Sequence, residues 1–560
     1  MNDTLVRGVL ISDFNIEPLS GYLENNEEAP AISSTVAPFG QVIHLLLDAN
    51  NEIWNRYYDF ALIWTRPEGV NNSFANAIDF QCIHIEDIFS EIDNFVSAIE
   101  NILPQVKTIF VPTWVIPTYL KGYGMIDMKK GLGLMNTLMQ MNLYLAEKID
   151  NMENVFLLNA ERWIRVAGEG AFNQKLWYLG KIAFGNKVFK EACKDINSAL
   201  KGTMGDARKI IIVDLDETLW GGIVGDAGWE NLRLGGHDPI GEAFVDFQKA
   251  LKSYTNRGIL LGIASKNEES VALEAIEKNP EMVLKIDDFS SWKINWDDKA
   301  RNIVELMNDL NLGLQSAVFI DDNPMERARV AQELPEVLVP EWPEDRMLYR
   351  QALLSLNCFD TPMISDEDRL RIKMYQAERV RDRAKISISS PDEWIKTLEV
   401  KVLVENLDSS NINRVIQLLN KTNQMNLSTR RMTEAELLGW IKDEKRSLWA
   451  FRVSDKFGDY GLTGIASMEQ YRKVGKVIDF ILSCRVMGRK IEEVMMSTLT
   501  AYARLMQLSR IEAKFLPTKK NKPCHDFFKR SLISTDKAND IFIWDLNNKY
   551  PTPNYIKIIK

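Results

Sequence analysis

The sequence is poor in the residues that usually announce a metal centre or a disulfide scaffold. Its 560 residues hold four histidines, His44, His84, His237 and His525, and five cysteines, Cys82, Cys193, Cys358, Cys484 and Cys524. No two cysteines form a CxxC pair and no HExxH occurs, which argues against a zinc site and against a disulfide framework. Positive charge is not in excess: 68 Lys and Arg stand against 78 Asp and Glu, a net charge of −10. No global field therefore recruits nucleic acid or an acidic membrane. No apolar run approaches the ~20 residues of a spanning helix. The start, Met1-Asn-Asp-Thr-Leu-Val-Arg-Gly8, lacks the basic opening and cleavage site of a signal peptide. A cytoplasmic protein with reduced thiols, no nucleic acid and no membrane is the expectation. Fixed-period repeats and low-complexity tracts are absent too. What remains is ordinary globular composition, 46% hydrophobic and 26% charged, in a chain long enough for three or four domains at ~150 residues each.

The hydrophobic pattern divides the chain into 1–205, 206–362, a charged helical connector at 363–391, and 392–560. In the first segment Val9–Ile11, Phe60–Trp64, Thr108–Pro112 and Val155–Leu158 read as short buried strands with helical stretches between them. That alternation predicts a parallel sheet with crossovers. The second segment repeats the rhythm at Lys209–Val213, Ile259–Ala264 and Ser316–Ile320. The third mixes strands (398–404, 448–453, 477–482) with helices (411–420, 489–506), an α+β pattern.

Chemistry concentrates where the strands of the second segment end. The strand Ile210–Val213 runs into Asp214-Leu-Asp216-Glu-Thr218-Leu-Trp-Gly-Gly222. In open α/β sheets sites form beyond the carboxyl ends of strands. Two carboxylates as close as Asp214 and Asp216 repel unless a cation compensates, and an all-oxygen set favours Mg²⁺. Two further strands end in Ser265-Lys-Asn267 and Asp321-Asp-Asn323, and Lys299 opens the helix before the latter strand.

This ordered set, DxDxT at Asp214, Asp216 and Thr218, then Ser265, Lys299 and Asp321-Asp322, resembles the haloacid dehalogenase superfamily of phosphatases. The resemblance implies that Asp214 attacks phosphorus and becomes an aspartyl phosphate, and that Asp216 protonates the leaving oxygen and then activates water. It implies Mg²⁺ held by Asp214, the carbonyl of Asp216 and Asp322. Thr218, Ser265, Asn267 and Lys299 would surround the phosphoryl oxygens. Lys293 competes with Lys299 for its role, and Asp321 with Asp322. The wording around the motifs, Asp216-Glu-Thr-Leu-Trp-Gly-Gly-Ile-Val-Gly-Asp226, Ile294-Asn-Trp-Asp-Asp-Lys-Ala300 and Phe319-Ile-Asp-Asp-Asn-Pro-Met-Glu-Arg327, looks more narrowly like the FkbH-like family of polyketide and nonribosomal-peptide biosynthesis. Glu217 departs from it, standing where that family more often has Asn. The resemblance spans essentially the whole chain. It implies an α/β protein with an SGNH-like parallel-sheet domain, a haloacid dehalogenase-like (HAD) Rossmannoid domain and a GNAT-like α+β acyltransferase domain. It also implies an activity: the glyceryl unit of 1,3-bisphosphoglycerate is taken up, dephosphorylated and loaded as a thioester onto the phosphopantetheine arm of an acyl carrier protein.

In the third segment Leu419–Arg431 matches that family's Asn-rich stretch. The turn Cys484-Arg485-Val-Met-Gly488-Arg489-Lys490 resembles a degenerate pyrophosphate turn of GNAT acetyltransferases, with Arg485, Gly488 and Arg489 as candidates to hold the carrier arm. Cys484, at a strand end beside Arg485 and ahead of a helix, is the candidate acyl acceptor; the bland alternative is a small buried apolar residue. Cys524 beside His525 invites a weaker Cys-His reading. In the first segment Val9-Leu-Ile-Ser12-Asp-Phe-Asn15 resembles the serine block of SGNH hydrolases, but no histidine stands near Asn159–Trp163 to serve as base, which favours a structural or docking module. Arg430-Arg431, Arg485 with Arg489-Lys490, and Lys519-Lys520 are candidate basic patches for an acidic carrier. Two readings compete: a phosphatase fused to a coenzyme A-dependent acetyltransferase acting on a sugar or amino-acid intermediate, and a non-catalytic scaffold.

Overall fold

The computed structural model describes residues 5–27, 30–363, 391–422, 424–456, 458–518, 520–531, 534–536 and 540–559. Apart from its end residues, the expected connector lies outside the described residues, as does Lys519. The chain is mixed α/β and forms two compact units, Met1–Lys201 and Gly202–Lys560. Among the described residues no helix is long and apolar enough to cross a membrane.

The first unit is built on a five-stranded sheet, all of it parallel, in the order β2-β1-β3-β4-β5. The strands are β1 (Val6–Ser12), β2 (Ile32–Val36), β3 (Phe60–Trp64), β4 (Ile109–Pro112) and β5 (Val155–Leu158). Every residue of β3 is buried, as expected of a central parallel strand covered by helices on both faces. β2 escaped the sequence reading because it is an edge strand, Ile-Ser-Ser-Thr-Val, of which only Ile32 is buried.

The second unit holds two sheets. The smaller, β8-β7-β6-β9, is again all parallel. Its strands are β6 (Ile210–Val213), β7 (Leu260–Ser265), β8 (Ser291–Ile294) and β9 (Ala317–Ile320). β8, Ser-Trp-Lys-Ile, is half-exposed and lacks the apolar run that betrayed its neighbours. Register does the positioning: Val213 pairs with Ile263 on one side and Ile320 on the other. Asp214, Ser265 and Asp321 therefore emerge together at one sheet edge.

The larger sheet orders as β16-β17-β15-β14-β13-β12-β10-β18, with β11 paired to β14 off this path. The strands are β10 (Lys401–Asn406), β11 (Met425–Asn426), β12 (Arg446–Asp455), β13 (Gly458–Tyr471), β14 (Val474–Leu482), β15 (Arg510–Lys514), β16 (Ser534–Asp536), β17 (Ile541–Asp545) and β18 (Lys557–Ile559). β12, β13 and β14 form an antiparallel meander. The parallel step from β14 to β15 needs a crossover, which the helix Ile491–Leu505 supplies. That helix buries Ile491, Val494, Met495, Leu499 and Ala503, the one-face spacing of a helix packed on a sheet.

Candidate active site

The four motifs of the second segment meet at the carboxyl edge of the small sheet. Asp214 is anchored by its own N–H, which donates to the Ile320 carbonyl at 3.0 Å. The Lys299 ammonium, 4% exposed, lies 3.0 Å from Asp214 Oδ1 and donates to Asp321 Oδ2 at 2.6 Å. Burial works against the charge of Lys299, but Asp214 and Asp321 outweigh it and hold the amine above its ordinary range. The competitor Lys293 sits in β8 and turns outward to Asp309 at 2.9 Å.

Asp214, Asp321 and Asp322 bring carboxylate oxygens within 4.8 Å of one another. Burial, then the Asp214 charge, pushes Asp321 up to about 6, and the same two causes raise Asp322. Three buried or half-buried carboxylates around one point, with a single ammonium among them, are short of positive charge. The set fits a divalent cation with oxygen ligands. Asp322 is the less committed of the pair: Asp321 is bound to Lys299 and to the Asn323 N–H at 2.8 Å, while Asp322 Oδ1 accepts from Thr218 Oγ1 at 3.4 Å.

The Asp216 side chain stands apart from this cluster. Its Oδ1 accepts from Trp220 Nε1 at 2.9 Å and from the Val224 N–H at 3.1 Å, and its Oδ2 accepts from Asn267 Nδ2 at 2.9 Å. Three donors fix its direction, which suits a group that passes a proton to an atom held elsewhere. Two expected phosphate binders have other tasks. The Asn267 amide is spent on Asp216 and on Ser265 Oγ. Thr218 is fully buried, and its Oγ1 accepts from the Asp322 N–H at 3.1 Å, tying the loop after β6 to the loop after β9. Both position other site residues. Ser265, 1% exposed, stays at the edge beside Asn267.

Arg346 was missed by the sequence reading, since a lone arginine 24 residues beyond Asp322 carries no spacing signal. Its Nη2 donates to Glu217 Oε2 at 3.0 Å and lies 3.9 Å from Asp322 Oδ2. Glu217 holds a left-handed backbone, φ +56°, and its Oε1 accepts from the Gly222 N–H at 2.6 Å. The Glu217 carboxylate thus holds an arginine at the rim of the site.

The third segment places its candidates differently. Cys484 follows β14, is half-buried, and packs against the apolar residues under the small sheet, among them Ile210, Leu260 and Ala317. It faces a cavity of about 100 Å³ whose walls include Gln315, Ser316, Gln417, Gln424 and Arg485. Arg489 does not present its charge to a ligand: it is 2% exposed, paired with Asp455 at 3.4 Å and stacked on Tyr460. A buried guanidinium requires such a partner. Three more of the expected basic residues have partners or surroundings inside the protein. Arg430 pairs with the buried Asp479 at 2.6 Å, Arg431 is lowered to about 10 by burial, and Lys520 pairs with Asp206 at 2.5 Å. Cys524 is a core thiol, fully buried and pushed far up by burial, while His525 packs on Phe515 and Phe542; they do not form a dyad.

In the first unit, Ser12 Oγ accepts from the Phe14 N–H, and Asp13 pairs with Arg66 at 2.9 Å. Trp64 and Trp163 are fully buried core residues, and His44 and His84 are exposed. No base is brought to Ser12 among the described residues.

No protein-family model matches the chain, and no curated protein matches it. Among solved structures, the chain is similar to the N-terminal part of a Bacteroides fragilis protein containing a phosphatase domain, solved in complex with Mg. The two are 29% identical, over 64% of this chain and 94% of that one, with a TM-score of 0.57. A Desulfovibrio desulfuricans protein assigned to the GNAT acetyltransferase family matches over 26% of this chain and 99% of its own length at 12% identity and a TM-score of 0.20. The ribosomal-protein-S18-alanine N-acetyltransferase of Escherichia coli matches over 26% and 94% at 6% identity and a TM-score of 0.20.

Proposed function

We propose that this chain is a Mg²⁺-dependent phosphatase joined to a group-transfer domain, which loads the glyceryl unit of D-1,3-bisphosphoglycerate on the thiol of a phosphopantetheinylated acyl carrier protein and removes its phosphate ester. The observation that carries the phosphatase half is the division of labour among carboxylates: Asp214 on Lys299 within an acidic cluster, Asp216 held outside it by three donors. The likeness to a phosphatase-containing Bacteroides protein solved with Mg supports it.

Asp214, Asp322 and the Asp216 carbonyl would hold Mg²⁺, which when bound supplies charge neutralisation between the phosphoryl group and the carboxylates. An Asp214 oxygen attacks phosphorus, the bond from phosphorus to the ester oxygen breaks, and Asp216 gives that oxygen its proton. Water then attacks the aspartyl phosphate while Asp216 takes its proton, and inorganic phosphate leaves with Asp214 restored. Lys299 offsets charge at the nucleophile throughout. At the other end of the substrate, the Cys484 sulfur attacks the acyl phosphate carbon: a C–S bond forms, the C–O bond to phosphate breaks, and inorganic phosphate departs, the thiol proton passing to solvent. The carrier sulfur then attacks the same carbon, the bond to Cys484 breaks, and Cys484 regains a proton as the carrier thiol loses its own.

The test incubates the full chain with Mg²⁺, 1,3-bisphosphoglycerate and a pantetheinylated carrier and weighs both proteins intact. A glyceryl or phosphoglyceryl adduct on the carrier is the expected result. A carrier that stays unmodified, or gains some other mass, overturns the assignment. If Asp214→Asn makes the dephosphorylated product at the wild-type rate, the phosphatase half is lost.

A further inference from the structure

The larger sheet has an opening in it, and the chain fills that opening with its own backbone. β14 and β15 pair only over Val474–Val477, opposite Arg510–Ala513, and part beyond. On its other edge β14 stays with β13 as far as Leu482. The parted edge exposes a row of backbone groups, the kind of place where an extended arm bearing amides adds as an extra strand. Here Met425 and Asn426 take that place, pairing antiparallel with Leu482 and Ile481. Leu427 closes the gap from both sides: its N–H donates to the Phe480 carbonyl at 3.2 Å and its carbonyl accepts from the Leu516 N–H at 3.1 Å. Asn426 locks the plug. It is fully buried, its Oδ1 accepts from the Ser428 and Thr429 N–H groups, its Nδ2 donates to the Thr422 carbonyl, and Asn521 Nδ2 donates to its own carbonyl.

A second seal lies where the crossover helix begins. Gly488 and Lys490 both adopt left-handed conformations, φ +75° and +62°, in the turn that leads into Ile491–Leu505. A turn of this kind offers its N–H groups to an anion. The Gly488 N–H already donates to Glu492 Oε1 at 3.1 Å, and Glu492 is only 5% exposed. The neighbouring cation, Arg489, is committed to Asp455. A diphosphate arriving at the Gly488 N–H would meet the Glu492 carboxylate there.

We propose that the segment Met425–Leu427 and the Glu492 carboxyl are specificity elements that shut coenzyme A out of this domain. This rests on reading Leu482–Lys490 as the turn of a transfer domain. With both features of coenzyme A, its amide arm and its diphosphate, met by the chain's own groups, the acyl donor is not an acyl-coenzyme A. The thiol that collects the acyl group reaches Cys484 from the cavity beside Gln417 and Gln424.

The experiment is calorimetric titration of the full chain with coenzyme A and with acetyl-coenzyme A at pH 8. Wild type is expected to give no saturable heat up to about 1 mM ligand. The double variant Asn426→Ala, Glu492→Ala, checked for an unchanged near-ultraviolet circular dichroism spectrum, is expected to bind coenzyme A at least ~10-fold more tightly than wild type. If the double variant does not fold, Glu492→Ala alone is titrated with inorganic pyrophosphate, and a gain over wild type is again expected. Saturable binding by wild type overturns the proposal, and so does a folded variant that binds no better. Carrier loading is scored separately: a wild type that binds no coenzyme A and also loads no carrier refutes the glyceryl reading while leaving the exclusion intact.

Discussion

The buried Glu492 carboxyl gives a prediction whose size can be worked from its surroundings. Burial pushes it from an ordinary 4.5 up to about 7, against the pull of the N–H groups of Glu492 itself and of Gly488. At ~1.4 kcal/mol per tenfold change in proton affinity, that gap is worth about 3 kcal/mol. The folded state holds this proton to a higher pH than the unfolded chain does. Its stabilising contribution is therefore whole below about pH 4.5, fades as pH rises, and is gone above about pH 7. Glu492→Gln keeps the shape and removes the ionisation. The variant should match wild type near pH 4.5 and exceed its stability by about 3 kcal/mol at pH 8. Because a chain of several domains does not unfold in one step, the readout should be local: amide hydrogen exchange of the helix Ile491–Leu505, in both proteins at both pH values. A variant-minus-wild-type difference that stays constant between pH 5 and pH 8, or that favours wild type at pH 8, would refute the reasoning.

Three further outcomes are expected. Asp214→Asn should lower hydrolysis of a small phosphate monoester by at least ~1,000-fold, measured as phosphate release, since the nucleophile itself is lost. Lys299→Met should cost about 3–5 kcal/mol, because Asp214 and Asp321 lose the cation they share inside a buried site, and the loss should show as a lower melting temperature in metal-free buffer. Cys484→Ala should abolish the mass adduct on the carrier while leaving monoester hydrolysis unchanged, since its cavity lies at the opposite end of the strands from Asp214.

The carboxyl edge of the small sheet was legible in the sequence because each motif follows an apolar strand. Val213, Ser265 and Ile320 end strands whose every residue is buried, so the polar residues after them had to emerge at one edge. What could not be read was which side chain faces which. Lys293 and Lys299 match by type, the spacing before the last strand favours Lys299, and the geometry agrees: Lys293 turns outward to Asp309 while Lys299 lies on Asp214 and Asp321. The resemblance implies that Asn267 and Thr218 bind phosphate, but each makes its hydrogen bonds to a neighbouring site residue, Asn267 to Asp216 and Ser265 and Thr218 to Asp322. Strands with mixed faces were lost for the same reason in reverse. β2 and β8 have no apolar run, and β13, Gly458–Tyr471, interrupts its pattern with Gly461, Gly464 and a bulge at Ser467/Met468. Arg430 and Arg489 are not free surface charges, and a sequence shows charge but not its partner: Asp479 and Asp455, which neutralise them, lie 49 and 34 residues away.

The two candidate reaction centres stand at opposite ends of the same strands, and this constrains any coupled mechanism. Asp214 and Asp321 follow the last residues of β6 and β9, whereas the cavity of Cys484 is walled by Lys209, Leu260 and Ser316, at or just before the first residues of β6, β7 and β9. With ~3.3 Å per residue, a four-residue strand separates the two levels by at least ~13 Å. A three-carbon glyceryl unit cannot reach both points from one position, so acyl transfer at Cys484 and ester cleavage at Asp214 cannot share a bound state. Either the group is dephosphorylated while free in solution, or it travels on something long enough to span the sheet. The first course would expose the acyl phosphate to water before it met a thiol. The second needs a flexible tether of ~13 Å or more, which a side chain such as cysteine does not provide and a carrier-borne arm does. On the glyceryl reading, thioester formation therefore comes first and the phosphate ester is cleaved afterwards, on the carrier. Asp214→Asn should then accumulate a carrier heavier by one phosphoglyceryl group, and a carrier found only in its glyceryl form with that variant would reverse the order.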